Sequence, residues 1–141
     1  MTRILFICTG NSARSQMAEG LTRALAPGVE VASAGTRPMG VNPLAVEAMR
    51  ERGIDISGQR SKKVEYVPGE FDYVITLCDD AAKDCPVIAA RRKRLQWGLQ
   101  DPAGASGEHA ARLAVFGTVR DEIERRLREW LLQEGLLDKT K

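Results

Sequence analysis

The chain has 141 residues, enough for one ordinary domain over residues 1–141 built round one core. Hydrophobic residues make up 43% and charged residues 28%, a soluble globular balance, and a formal net charge of +2 is too small to argue for nucleic acid or an acidic membrane. There are three cysteines, Cys8, Cys78 and Cys85, an odd and low count that argues against a secreted disulfide framework, and no apolar run has the length of a signal segment or a membrane span, so a cytoplasmic location is expected.

Arg3 to Ile7 reads as a short buried strand. Ser15 to Leu25 follows as a helix with Met17, Ala18, Leu21, Ala24 and Leu25 on one face. Val29 to Ala34 is a second strand, ended by Gly35. Asn42 is placed to cap a helix that opens with Pro43, runs to about Arg52 and stops at Gly53. Phe71 to Leu77 is a third strand, rich in aromatic and β-branched residues, and Leu95 to Leu99 a short fourth. Glu108 to Gln133 is the last helix, with Leu113, Phe116, Val119, Ile123, Leu127 and Leu131 in helical register. The tail from Leu137 to Lys141 is expected to fray. Strands alternating with helices predict an α/β fold with a parallel sheet covered on both faces, whose ligands bind at the carboxyl ends of the strands.

The first strand runs into Cys8-Thr9-Gly10-Asn11-Ser12-Ala13-Arg14-Ser15. A strand-to-helix loop aims several backbone N–H groups at one point, beside the positive end of the helix dipole, and so makes an anion nest. Gly10 and Asn11 tolerate the positive φ of a curled loop. Arg14 supplies a planar, always-charged fork that matches two oxygens of a tetrahedral anion. Cys8 sits at the loop's entrance, and the field that binds the anion also favours the nucleophilic thiolate. Ser15 is placed to donate a hydrogen bond to that sulfur. A lone cysteine at a strand end is more often a small packing residue; here the rest of the loop and its strand–helix setting all favour chemistry. The residues from Thr9 to Arg14 are therefore candidates for substrate binding.

Cys78 closes the third strand, on the side of the sheet where a site is expected, and Cys85 follows in a polar, short-helical stretch. Two cysteines seven positions apart reach disulfide distance only if that stretch bends or unwinds. They read as a redox pair, as two structural thiols, or as half of a zinc site. Zinc is the weakest of these, because His109 is distant and no second cysteine pair exists. Asp101, in the turn-rich run Gly98 to Gly104, reads locally as an Asp that starts a turn before Pro102, with general acid–base work as the other reading. Trp97 reads as packing and His109 as an ordinary helix residue.

Cys8 to Ser15 together with Asp101-Pro102 resembles the low-molecular-weight phosphotyrosine phosphatase fold family. The likeness narrows to its thioredoxin-coupled arsenate reductases through Gln16 to Gly20, Ser33-Ala34-Gly35, Val41-Asn42-Pro43, Ile54 to Ser57, Thr76-Leu77-Cys78, Cys85-Pro86, Trp97-Gly98 and Asp101 to Gly104. That resemblance implies a four-stranded parallel sheet flanked by helices; a monomer without a cofactor is expected. Its substrate would be arsenate, with phosphate or sulfate as analogues. Cys8 would attack the arsenate held by the loop and Arg14, and Asp101 would protonate the leaving oxygen. Cys78 would then attack the arsenylated Cys8, and Cys85 would take over as a Cys78–Cys85 disulfide reduced by thioredoxin. Ala13 stands where several of these proteins have a further cysteine. Some members hold a potassium ion through groups matching Asn11, Glu19 and Ser33 plus an acidic side chain; here that acidic position is Lys62, so no potassium is expected.

Two other readings compete. A tyrosine phosphatase on the same fold needs Cys8, Arg14 and Asp101 but has no use for Cys78 and Cys85, and it usually carries an aromatic residue where this chain has Ala103. A non-catalytic redox or arsenic-responsive sensor would use the thiols but would give the anion loop no purpose.

Overall fold

The computed structural model describes residues 1–77 and 88–137. In chain order the elements are β1 (Arg3–Ile7), α1 (Arg14–Leu25), β2 (Glu30–Ala34), α2 (Pro43–Arg50), β3 (Tyr73–Thr76), β4 (Lys93–Gln96) and α3 (His109–Gln133). Short 3₁₀ turns cover Val64–Tyr66 and Pro102–Gly104. The strands form one four-stranded sheet in the order β2-β1-β3-β4, with every pairing parallel. β1 is central: Leu5 pairs with Ala32 on one side and Val74 on the other.

Alternation along β1 divides the core. Ile4 and Phe6 face α1, α2 and α3, which pack against one another over that side. Leu5 and Ile7 face the other side with Val74, Phe71 and Ala34, where Val64, Val67, Ile88 and Ala90 give partial cover. Burial on both faces explains why β1 reads as an unbroken apolar run.

The helix ends follow local chemistry. Asn42 accepts from the Leu44 amide at 2.9 Å, with Pro43 at the first helical position, as expected of a cap. α2 stops two residues earlier than the predicted Arg52 and leaves through a turn to Gly53, whose φ of +74° suits glycine. Three strand expectations move, the second strand starting one residue late at Glu30. The third strand is trimmed to Tyr73–Thr76, and the fourth lies at Lys93–Gln96 in place of 95–99. β4 is the sheet edge and mostly exposed, so lysine and arginine occupy positions that would be apolar in a buried strand. Leu99 is buried, but in the loop that follows. Leu137, expected to fray, packs against the core and donates from its backbone to Leu131 O at 3.2 Å. Cys78, Cys85 and the predicted short-helical stretch between them lie outside the described residues. No described helix is long and apolar enough to cross a membrane.

The order β2-β1-β3 reverses direction at β1, which leaves a crevice at the carboxyl ends of β1 and β3. Cys8 follows β1 there, and Leu77 follows β3.

Candidate functional site

Residues 8–14 curl at the crevice and feed directly into α1. Asn11 has a φ of 44°, in the left-handed region that asparagine tolerates. Gly10, expected to share that strain, has no positive φ; its missing side chain leaves room for Met39, whose Sδ lies 3.4 Å from where a Cβ would stand.

Every carbonyl from residue 9 to residue 13 is held by an outside donor. Thr9 O accepts from Arg37 N at 2.9 Å, Gly10 O from Met39 N at 3.0 Å and Ser61 Oγ at 3.1 Å. Asn11 O accepts from Gln16 Nε2 at 3.0 Å, Ser12 O from Asn42 N at 2.9 Å and Ala13 O from Met17 N at 2.9 Å. A trans peptide points its N–H opposite its C=O, and the chain has no cis bond. The following amides, Gly10 to Arg14, are therefore turned away from these donors. Among the described residues none of them has a protein acceptor. They make a concave set of inward donors at the N-terminus of α1, a geometry suited to an anion.

The nest floors a cleft of about 300 Å³, lined by Cys8, Gly10, Ser12 and Arg14 at its base and by Met39, Val41, Asp101 and Ala103 at its mouth. Cys8 is 2% exposed. Its Sγ lies 2.9 Å from Ser15 Oγ. That hydroxyl accepts from Asn11 Nδ2 at 2.8 Å, which leaves its own proton for the sulfur. The second Nδ2 proton goes to Ser33 Oγ at 2.9 Å, and Ser33 in turn donates to Glu19 Oε1 at 2.6 Å. Lys62 N donates to Asn11 Oδ1 at 2.9 Å and so fixes which way the Asn11 carboxamide faces.

Arg14 is buried, and its Nη1 donates to Leu77 O and to Leu99 O, both at 3.1 Å. One guanidinium thus ties the nest to the end of β3 and to the loop before Asp101, and its Nη2 lies 3.6 Å from Asp101 Oδ2. Asp101 Oδ1 accepts from Ala103 N at 3.0 Å. This aspartate starts the turn, as local sequence suggests, and also stands half-exposed at the mouth beside Arg14.

The groups compared with a potassium site also meet, and their side-chain oxygens carry protein hydrogen bonds. Glu19, 5% exposed, accepts from Ser33 at one oxygen and from Arg23 Nη2 at 2.8 Å on the other. Asn11 Oδ1 is taken by Lys62 N. Burial pulls the Lys62 ammonium below its ordinary range, against the attraction of Glu19. The set offers a single carboxylate, already paired with Arg23, and has Lys62 in place of a second, a charge balance that does not suit a bound cation. Among the described residues no group of three His, Cys, Asp or Glu could hold a metal.

The structure thus brings together Cys8, Thr9, Gly10, Asn11, Ser12, Ala13, Arg14, Ser15 and Asp101. The site roles of Gln16, Met39 and Gly35 went unread from sequence, and so did any link from Glu19 and Ser33 to the nucleophile. Gly35 supports the loop from behind: a Cβ there would stand 2.6 Å from Thr9 O and 2.7 Å from Cys8 O. Its only sequence signal was the glycine that ends β2.

Fold and loop define a class: parallel α/β proteins that present a cysteine and an arginine from one strand-to-helix anion loop. Within it, the chain belongs to the low molecular weight phosphotyrosine protein phosphatase family, whose profile matches residues 3–141. The arsenate reductase of Shouchella clausii is 50% identical over 129 residues, covering 90% of this chain and 93% of that protein. A solved arsenate reductase in its phosphate binding state superposes with a TM-score of 0.81 at 37% identity, covering 94% of this chain and 98% of that one. A thioredoxin-dependent arsenate reductase of Corynebacterium glutamicum superposes at 0.68 and 29% identity, covering 94% of this chain and 61% of that one.

Proposed function

We propose that this chain reduces arsenate to arsenite, as one catalytic domain in the cytoplasm, with thioredoxin as its electron donor. The observation that carries the reading is a chain half-identical to an arsenate reductase over 129 residues whose sequence has two cysteines in addition to Cys8. In this reading the nest amides and Arg14 hold three arsenate oxygens. The Cys8 thiolate attacks arsenic, and the fourth oxygen leaves as water with a proton from Asp101. Ser15 supports Cys8 as a leaving sulfur. Cys78 then attacks Cys8 Sγ; the S–S bond forms, the S–As bond breaks, and its electron pair stays on arsenic, which leaves as arsenite. Two thiols become one disulfide, and arsenic(V) becomes arsenic(III). Cys85 attacks Cys78 and frees Cys8, and a thioredoxin dithiol reduces the Cys78–Cys85 bond. The thioredoxin-dependent relative supports that donor.

The phosphatase reading is separable by assay. Arsenate-dependent NADPH oxidation with thioredoxin and its reductase is expected, far exceeding p-nitrophenyl phosphate hydrolysis. Cys8→Ser should abolish both activities, since a hydroxyl is a much weaker nucleophile. Cys85→Ser should release about one arsenite per enzyme and stop, because recycling and not the first reduction needs that thiol. Sustained thioredoxin-coupled turnover by Cys85→Ser would overturn the relay.

A further inference from the structure

We propose that Gln16 is a positioning residue of the anion loop: its side-chain amide holds the Asn11–Ser12 peptide with the Ser12 N–H turned into the cleft. The inference rests on the anion-loop reading above and adds a residue to it. Of the five held carbonyls, those of Thr9, Gly10, Ser12 and Ala13 each accept from a backbone N–H. Among the described residues Asn11 O accepts from a side chain alone, Gln16 Nε2 at 3.0 Å. With no backbone donor on Asn11 O among the described residues, Gln16 is what keeps the Asn11–Ser12 peptide from turning over. A reversed peptide would replace one inward donor with an inward carbonyl, which repels an oxyanion.

The orientation of Gln16 is itself determined. Arg23 Nη1 donates to Gln59 Oε1 at 3.1 Å. A guanidinium has no acceptor, so Gln59 must present its oxygen to Arg23 and its Nε2 to Gln16. That Nε2 donates to Gln16 Oε1 at 2.8 Å, which in turn points Gln16 Nε2 at Asn11 O and Arg60 O, each at 3.0 Å. Gln16 is fully buried, with both amide protons and its carbonyl oxygen engaged. Each carboxamide is thus oriented by the one before it, and the last sets one peptide of the nest.

The test uses the full, reduced, 15N-labelled chain, with phosphate as the probe. In the wild type the amide resonances of the loop, Ser12 included, should shift on phosphate binding. In Gln16→Leu the phosphate Kd and the arsenate KM should rise together by about 10- to 100-fold, the usual scale for losing an orienting outer partner. kcat should change much less, because the lost donor serves bound substrate and transition state alike. The Ser12 resonance should lose its response while its neighbours keep theirs. A purely structural glutamine would lower thermal stability without this split. If Gln16→Leu fails to fold, Gln16→Glu keeps the size, lacks the donor and should weaken phosphate in the same way. The wild type supplies a further measurement, since the Gln16 side-chain amide resonance should itself move when phosphate binds. Phosphate affinity within about twofold of wild type in a folded variant, or an unmoved Gln16 resonance, overturns the inference. If the wild-type loop amides ignore phosphate, the anion-loop reading falls first; if wild type and Gln16→Leu respond alike, only the role of Gln16 falls.

Discussion

Gly35 is the residue where the site has least tolerance. A Cβ built there meets Thr9 O, Cys8 O and Asn11 N at 2.6, 2.7 and 2.9 Å, and all three are backbone atoms of the loop. None can swing aside as a side chain would, so Gly35→Ala must push the loop out of place. Displacements near 1 Å cost on the order of 100-fold, so kcat/KM for arsenate should fall by about that factor, with phosphate affinity falling too. Unchanged kinetics in a folded Gly35→Ala would show that the loop has slack. The buried Glu19 gives a second residue-scale expectation. Both of its oxygens accept from protein donors, and Lys62 adds a positive charge nearby. Potassium should therefore give no saturable stabilisation beyond that of a bulky organic cation at equal ionic strength, in thermal melts or kinetics. A specific potassium effect would contradict the assignment. Legibility at this scale followed continuity. Cys8 to Ser15 could be read because one loop carries every group. Ser33, Gly35 and Gln59 reach the site from other segments, and no spacing rule in the sequence links them to it.

Among the elements, those with two-sided burial or a strong helical stripe read cleanly. β1 has the predicted bounds, and α3 begins one residue late, at His109. β4 did not, because an edge strand lacks the apolar partner on each face that makes a pattern. The segment 36–42 shows a different limit. It has no regular structure, yet the amides of Arg37, Met39 and Asn42 hold three of the five loop carbonyls. Its function lies in backbone donors, which any sequence supplies. What the sequence does mark is its anchor, Asn42, whose side chain caps α2 while its amide holds Ser12 O at 2.9 Å. Asn42→Ala removes the cap and leaves the amide. It should cost about 1 kcal/mol of stability, seen as a fall in Tm of about 3 °C, with phosphate affinity nearly intact. A large loss of affinity at unchanged Tm would mean that the side chain serves the loop and not the helix.

For the molecule as a whole, charge pairing round α3 predicts how stability depends on pH. Glu124 is held below the usual carboxylate range chiefly by its hydrogen bond from Arg52, at 3.0 and 2.6 Å, and Glu122 down to about 2 chiefly by Arg125. Folded values below unfolded ones mean that this stabilisation is present above the ordinary glutamate value of 4.5 and is lost as pH falls toward about 2. The alkaline side rests on Tyr73, which is fully buried between sheet and α3, with its ring 4.9 Å from that of Trp130. Its hydroxyl donates to Glu134 at 2.6 Å, at the C-terminal end of α3. Burial first, and the Glu134 carboxylate second, push the phenol from 10.0 up to about 12. A raised folded value keeps the neutral phenol favoured in the folded state. Its contribution is complete below pH 10 and is lost as pH rises through about 12. A rise of that size in the phenol's pKa is worth about 3 kcal/mol. Denaturant unfolding across the pH range should therefore give a plateau with an acid shoulder below 4.5 and an alkaline fall between 10 and 12. Tyr73→Phe should be less stable at neutral pH, having lost the hydrogen bond to Glu134, and should show a much shallower alkaline fall. An alkaline fall of equal depth in Tyr73→Phe would place its origin elsewhere and remove Tyr73 from the account.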